Sequence, residues 1–324
     1  MTREAKQLNL DSNVPIYSKD TKLTYLPQWP QHLWILFHSL LPLVVHQILL
    51  PYFDIAALNK SSVCAIYSTA YYLIAFREAH VLRRLARKYG YLDGDVRRRN
   101  RVSEFGRARA FVSLFTSAVS RVGMTILLTY VPSKSPAVVL SQPSWWLRLA
   151  IQIDLYPLAL DLWFYWYHRA MHEFPTLWGY HRMHHLTKHP NASLAAYAGN
   201  VQKFIDMVAV PMMTFATFKA FGHSLGFYEW WICHEYVVYT ELWGHSGVRV
   251  HWAPPSTLIW VLKYLGAEMV VEDHDLHHRR GWRESHNYGK QSRLWDRAFG
   301  TCGDRIESVE ENVDYSTNAY MPIF

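Results

Sequence analysis

Histidine placement constrains this chain more than any other feature. The stretch WYHRAMHEFPTLWGYHRMHH, residues 166–185, holds five histidines in twenty residues, where an even spread of 18 in 324 would place about one. His168 and His172 stand at i and i+4. On a helix they share a face, with Cβ atoms about 5–6 Å apart, so both imidazoles can chelate one metal ion. His181, His184 and His185 stand at i, i+3 and i+4. Two of them share a face and the third is turned aside, an arrangement that can supply two neighbouring ions. Far downstream, His274, His277 and His278 repeat that spacing.

A lone histidine in such a segment is ordinarily a hydrogen-bonded core residue. Eight in three spaced clusters are different, because gathered imidazoles repel when protonated and are costly to bury unpaired. A metal removes both penalties, since each neutral ring nitrogen donates to the cation. Imidazole suits iron, zinc, copper and nickel, so these ligands alone do not name the metal. Eight are too many for one ion and about right for two. Cys64, Cys233 and Cys302 are far apart and form no CxxC pair. That excludes a thiolate zinc finger and gives no sign of a disulfide framework. Asp161 lies two helical turns before His168, where it either accepts a ring N–H or makes a polar contact in helix packing. Asp275 sits inside the last cluster.

Half the residues are hydrophobic, with 14 Trp and 21 Tyr. Such aromatic content suits membrane interfaces. The mean hydropathy of −0.09 fits a few embedded helices carrying a polar portion. Segments 34–53 and 110–131 have spanning length, and 147–167 is a further candidate that holds Asp154 and Asp161. A charge inside a span faces protein or a functional cavity. Segment 65–76 is too short to cross alone, and 205–221 and 228–243 read as helices packed on protein. From Arg77 to Arg109 there are eleven Lys/Arg against four acids. This run reads as a cytoplasmic loop under the positive-inside rule, beside anionic lipid. No recognised nucleic-acid module accompanies it. The N-terminus lacks the apolar core of a cleaved signal peptide. No alternation is long enough for a sheet. The expected fold class is all-α, an integral membrane helical bundle with a cytosolic, histidine-lined dimetal site.

Together, HxxxH, HxxHH and HxxHH resemble the fatty acid hydroxylase/sterol desaturase superfamily of membrane-bound, histidine-box non-haem diiron oxygenases. The flanks DLWFYWYHRAMH and HNYGKQSRLWDRAFGT (286–301) are similar to the family's first-box helix and closing segment. The stretch HSGVRVHWAP (245–254) is similar to one in sterol C4-methyl oxidases and sphingolipid hydroxylases. It carries over His245 as a ninth ligand. The resemblance covers roughly 150–303, and with the segments read above the chain divides into a polar tail (1–30), membrane helices with a basic cytosolic loop (31–140), a catalytic region (141–305) and a C-terminal tail (306–324).

The resemblance implies two Fe ions, O2, and electrons from NAD(P)H delivered by cytochrome b5 or a reductase. It also implies an endoplasmic-reticulum membrane protein whose site faces the cytosol, hydroxylating a lipophilic substrate such as a sterol or fatty acyl chain. HPGG is absent, so an external donor is expected. A desaturase on the same scaffold is the alternative. A non-catalytic histidine-rich metal-binding or transport protein is a different class, but a transporter holds its ligands near the bilayer midplane. These clusters lie at a helix end and in polar segments such as HHRRGW.

Departures from the family pattern mark further positions. Glu241 stands where fatty acid 2-hydroxylases carry a second histidine, and a carboxylate there is a competent iron ligand. His251 replaces the proline of the sterol-type stretch, and AAYAGNVQKF replaces the family's HP element. His189, His234 and His286 lie near the boxes. Glu241, His251, His189 and His234 are the candidates for a tenth ligand. The sequon at Asn191 lies beside a cytosolic box, where glycosylation is not expected.

Overall fold

The computed structural model of this chain describes residues 14–96, 99, 104–195 and 197–323, with side chains from 111 onward in the helix that starts at Glu104. Residues 1–13 of the polar N-terminal segment, and 97–98 and 100–103 of the basic run, lie outside the described residues.

Strand β1 (Leu23–Tyr25) leads into helix α1 (Gln28–Tyr52), followed by α2 (Lys60–Tyr89), α3 (Glu104–Thr129), α4 (Pro136–Leu140) and α5 (Pro143–Glu173). The short α6 (Pro175–His181) and α7 (Asn200–Phe204) follow. Then α7 runs through a π turn, Ile205–Ala209, into α8 (Val210–Ala220). Helix α9 (Phe227–Ser246), β2 (Val250–His251), α10 (Ile259–Tyr264), α11 (Val271–Arg280), α12 (Leu294–Phe299) and β3 (Val313–Asn318) complete the order.

Helix α2 corrects two expectations. The piece 65–76 and the first half of the basic run are one 30-residue helix. Asn59 starts it, its side chain accepting the Ser62 N–H at 2.9 Å. Tyr67, Tyr71, Ile74, Glu78, Val81 and Leu85 keep one buried face through the basic half, while Arg83, Arg84, Arg87 and Lys88 point outward. Arg87 and Lys88 also complement the helix C-terminal dipole. Gly90 ends it at φ 76°, where an added Cβ would lie 2.7 Å from the Pro15 carbonyl.

The chain is mostly helical but not purely so. The three strands form a sheet of order β2-β1-β3, parallel in both pairings, with Thr24 opposite Val250 and Leu23 opposite Val313. Strands of two, three and six residues are too short to show a period-two pattern. The sheet ties the segment before α1 to the end of the chain.

Helix α9 is the axis of the bundle. All twenty of its residues are buried, and α1, α2, α3, α5 and α11 pack around it. Trp230, Trp231, Tyr236, Tyr239 and Trp243 supply most of its packing surface.

Among the described residues, two helices are long and apolar enough to cross a membrane, Gln28–Tyr52 and Phe111–Thr129. Leu41, Val44, Val45 and Ile48 of α1 and Phe111, Val112 and Phe115 of α3 are exposed, a face suited to lipid. The segment 147–167, expected as a further span, is not among them. Its acids serve protein contacts, and Asp154 accepts from Ser256 Oγ at 2.7 Å and Thr257 N–H at 2.8 Å. Arg121, which interrupts the second span, is buried and donates to the Tyr71 hydroxyl and the Asp206 carbonyl, each at 3.4 Å.

Candidate metal centre

Five elements deliver the histidines. The last turns of α5 present His168 and His172, and the end of α6 presents His181. A 3-10 turn, His184–Leu186, follows. The last turn of α9 carries His245, and α11 carries His274, His277 and His278. Gly247, at φ 60°, ends α9 after Ser246, one residue past His245, in a left-handed cap that favours glycine.

These nine residues separate into two groups, and within each the ligand atoms lie within 4.8 Å of one another. The first is His168, His172, His181, His185 and His277; the second is His184, His245, His274 and His278. Each HxxHH motif therefore splits. Its i and i+4 members serve one group and its middle member the other. The groups share a wall, with the His185 and His278 rings stacked at 4.6 Å.

The ring tautomers follow from what each Nδ1 touches. His168 donates to the Tyr288 carbonyl at 2.8 Å, His277 to that of His286 at 2.8 Å, and His245 to that of Glu241 at 2.7 Å. His184 and His278 reach the Tyr197 and Thr187 carbonyls at 3.3 and 3.2 Å. A carbonyl only accepts, so each of these Nδ1 atoms carries the proton and each Nε2 is a bare lone pair. Yet Nε2 of His184 and Nε2 of His245 face each other at 3.1 Å. Two lone pairs at that distance repel unless a cation lies between them.

The other Nε2 separations agree. His168 to His181 is 3.0 Å, His181 to His185 2.9 Å, His185 to His277 3.2 Å, and His245 to His274 3.1 Å. Metal–nitrogen bonds of about 2.1 Å at right angles would put adjacent donors about 3.0 Å apart. His172 is buried with neither ring nitrogen hydrogen-bonded, and His278 Nε2 is equally unpartnered. The donor set fits metal ions.

Burial holds these rings neutral. Desolvation, then the Lys290 ammonium, pushes His184 down to about 4. Burial likewise pushes His277 down to about 3. His181, His185, His245, His274 and His278 are all well below the ordinary value, first by burial and then by neighbouring imidazoles.

The loop after α11 orients two members of the first group through the His286 and Tyr288 carbonyls. Two carboxylates hold that loop. Asp296 accepts the Tyr288 and Gly289 N–H groups at 2.7 and 2.8 Å. Asp161 accepts the N–H groups of Lys290, Gln291 and Ser292 at 2.6, 3.0 and 3.0 Å. A Cβ at Gly289 would lie 2.3 Å from the Ser292 carbonyl, so only glycine fits there. Of the two readings of Asp161, the structure favours the polar packing contact, since the carboxylate's acceptors are taken up by the loop rather than by a histidine ring. Asp161 acts on His168 through the loop backbone, because the closing segment lies between them.

Other sequence candidates lie outside both groups. Glu241 pairs with Lys290 at 2.7 Å. His251 sits on the sheet, its ring 6.0 Å from those of Tyr25 and Tyr315. His234 stacks on Trp230 and meets Thr125 Oγ1 at 3.3 Å. His189 is buried but joins neither group, and His286 contributes its carbonyl. Asp275 pairs with Arg99 and Arg279. Sequence reasoning missed Lys290 and the orienting carbonyls. Carbonyls have no side-chain signature, so nothing in the residue pattern could have marked them.

A family model described as fatty acid hydroxylase matches residues 154–301, which include all nine histidines. The fatty acid hydroxylase vlmA of a Lecanicillium species is 42% identical over 318 residues, covering 96% of this chain and 87% of that protein. An alkylglycerol monooxygenase of Xenopus tropicalis is 26% identical over 55% of this chain, which spans only 35% of that protein. The methylsterol monooxygenase erg25A of Aspergillus fumigatus is 29% identical, over 47% of each chain. No solved structure matches. Two nitrogen-lined groups, a family model spanning them and a relative alike over nearly the whole chain lead to one assignment: the chain belongs to the fatty acid hydroxylase family and is an oxidoreductase of the monooxygenase kind.

Proposed function

We propose that this chain is an integral membrane, non-haem diiron monooxygenase that hydroxylates a lipophilic substrate with O2 and two externally supplied electrons. His168, His172, His181, His185 and His277 hold one iron, and His184, His245, His274 and His278 hold the other. The facing lone pairs of His184 and His245 carry this reading, since a bound cation resolves them. Bound iron supplies O2 activation, the chemistry needed to attack an unactivated C–H bond.

The protein's own part is orientation and exclusion. Backbone carbonyls aim the ring nitrogens inward before any ion arrives. All nine imidazoles are buried, which keeps water from the reacting centre. The apolar faces of α1 and α3 lie in the bilayer, where a lipid substrate is concentrated. The relatives named for fatty acid, alkylglycerol and methylsterol chemistry support a substrate with a long hydrocarbon portion. The catalytic region is 141–305, preceded by membrane helices in 31–140. The basic face of α2 supports a cytosolic orientation. Membership of the family supports the endoplasmic reticulum as the membrane and NAD(P)H-derived electrons delivered by cytochrome b5 or a reductase.

Expression in a lipid-producing host, with mass spectrometry of extracted lipids, tests the reading. The expected product gains one oxygen atom, and His184→Ala abolishes it. The purified protein should carry two irons, and His274→Ala should lower the iron content while His251→Ala leaves it intact. A product that only loses two hydrogens would transfer the reading to a desaturase. Protein that takes up zinc alone and never consumes O2 would end it.

A further inference from the structure

Hydroxylation balances as R–H + O2 + two electrons + two protons giving R–OH + H2O. The electrons must enter a buried site from outside. One surface feature reaches the first histidine group directly. The Trp178 ring lies 5.1 Å from His172, 5.4 Å from His185 and 5.9 Å from His181, centroid to centroid. Trp282 stacks on Trp178 at 5.8 Å with only 10° between the planes. Both indoles are half-buried, so the pair runs from solvent to the imidazoles. The Arg283 guanidinium lies over Trp282 at 4.2 Å. Arg280 and Arg283 flank Trp282 in sequence, Arg182 follows Trp178 by one helical turn, and all three are exposed. Glu284 is the exposed acid beside them.

We infer that the stacked Trp178–Trp282 pair and its arginine rim are the docking and electron-entry surface for an acidic one-electron carrier protein. The inference rests on the diiron reading above. The rim supplies charge complementarity to an acidic partner, which steers encounter and sets register. The stacked rings shorten the gap between the partner's redox group and the first histidine group. In two successive encounters the carrier is oxidised by one electron each time and the site is reduced by two. Trp and Arg also suit a lipid headgroup surface. The direct ring contact with His172, His181 and His185 favours the redox partner, because lipid anchoring gives no reason for that contact.

The test uses full-length protein in nanodiscs and the soluble haem domain of cytochrome b5 as probe. At low ionic strength, Arg280→Glu/Arg283→Glu should weaken equilibrium binding of the probe about tenfold, with the difference shrinking at high salt. A probe with acidic rim residues changed to lysine should recover binding to that variant. In stopped flow, Trp282→Leu should slow oxidation of the reduced haem by an order of magnitude while leaving reduction by dithionite unchanged. Equal slowing with both reductants would reduce the pair to a water shield and overturn the inference. So would salt-insensitive probe binding, or charge variants that alter vesicle association but not probe binding. Metal analysis of the wild-type protein separates the two readings. Absence of iron would refute the diiron assignment, while the binding arm would still decide the docking surface.

Discussion

Replacing Asp161 by Asn isolates the link between the loop after α11 and the first histidine group. The Asp161 carboxylate is fully buried and accepts four hydrogen bonds, from three consecutive backbone N–H groups and from Ser292 Oγ at 3.0 Å. An amide keeps one acceptor oxygen and turns its NH2 toward the other donors. Two donors then lose their partner, at about 1–3 kcal/mol each, so holding the native loop costs about 2–6 kcal/mol. The loop relaxes instead, and the carbonyls of Tyr288 and His286 drift from His168 and His277. Loss of such orienting partners typically lowers metal affinity about 10–100-fold. Both affected rings belong to the first group. Anaerobic Fe(II) titration of Asp161→Asn should therefore show one site weakened by that factor and one near the wild-type affinity. Thermal unfolding in detergent should show a lower midpoint. Two wild-type iron affinities in this variant would refute the argument that the carboxylate acts on His168 through the loop.

Lys290→Met should destabilise the protein by about 3–5 kcal/mol, because it strands the buried Glu241 carboxylate, and Lys290→Met/Glu241→Gln should regain most of this in denaturant unfolding. If Glu241→Gln alone loses iron, Glu241 is a ligand rather than the partner of Lys290. Metal-free protein should lose stability in mild acid. His184 and His277 stay neutral in the fold, so below the ordinary 6.5 the unfolded chain binds more protons. Their stabilisation is full above about 6.5 and falls progressively, down to about 4 for His184 and about 3 for His277. His184→Asn should therefore flatten the pH dependence of the metal-free unfolding midpoint between about 6.5 and 4 relative to the unsubstituted protein, and an unchanged slope would refute the contribution of His184. Val45→Arg, on the exposed face of α1, should cost about 2.5–3.5 kcal/mol of insertion and shift protein from membrane to soluble fractions, whereas unchanged fractionation would argue against α1 as a span.

Sequence alone determined the donor set. Helical spacing is local, so HxxxH and HxxHH announce which imidazoles share a face before any tertiary contact exists. All nine histidines singled out there meet in the structure, and the split of each HxxHH between two groups was legible from the turned-aside middle residue. The two helices long and apolar enough to cross a membrane were equally legible, because that property depends on a continuous run of apolar residues. What escaped were features made by chain segments far apart. The sheet joins residues 23–25 to 250–251 and 313–318, with strands too short to carry a period. The basic run concealed the second half of α2, whose buried face is visible only once α9 lies against it. The ion pair of Glu241 with Lys290 and the loop N–H groups that Asp161 accepts were not legible, since a carboxylate's partner depends on what packs above it. The orienting carbonyls of Thr187, Tyr197, Glu241, His286 and Tyr288 carry no residue code at all. Ligand identity is a property of side-chain chemistry and local spacing. Ligand orientation is a property of the backbone around it, and only the folded chain decides that.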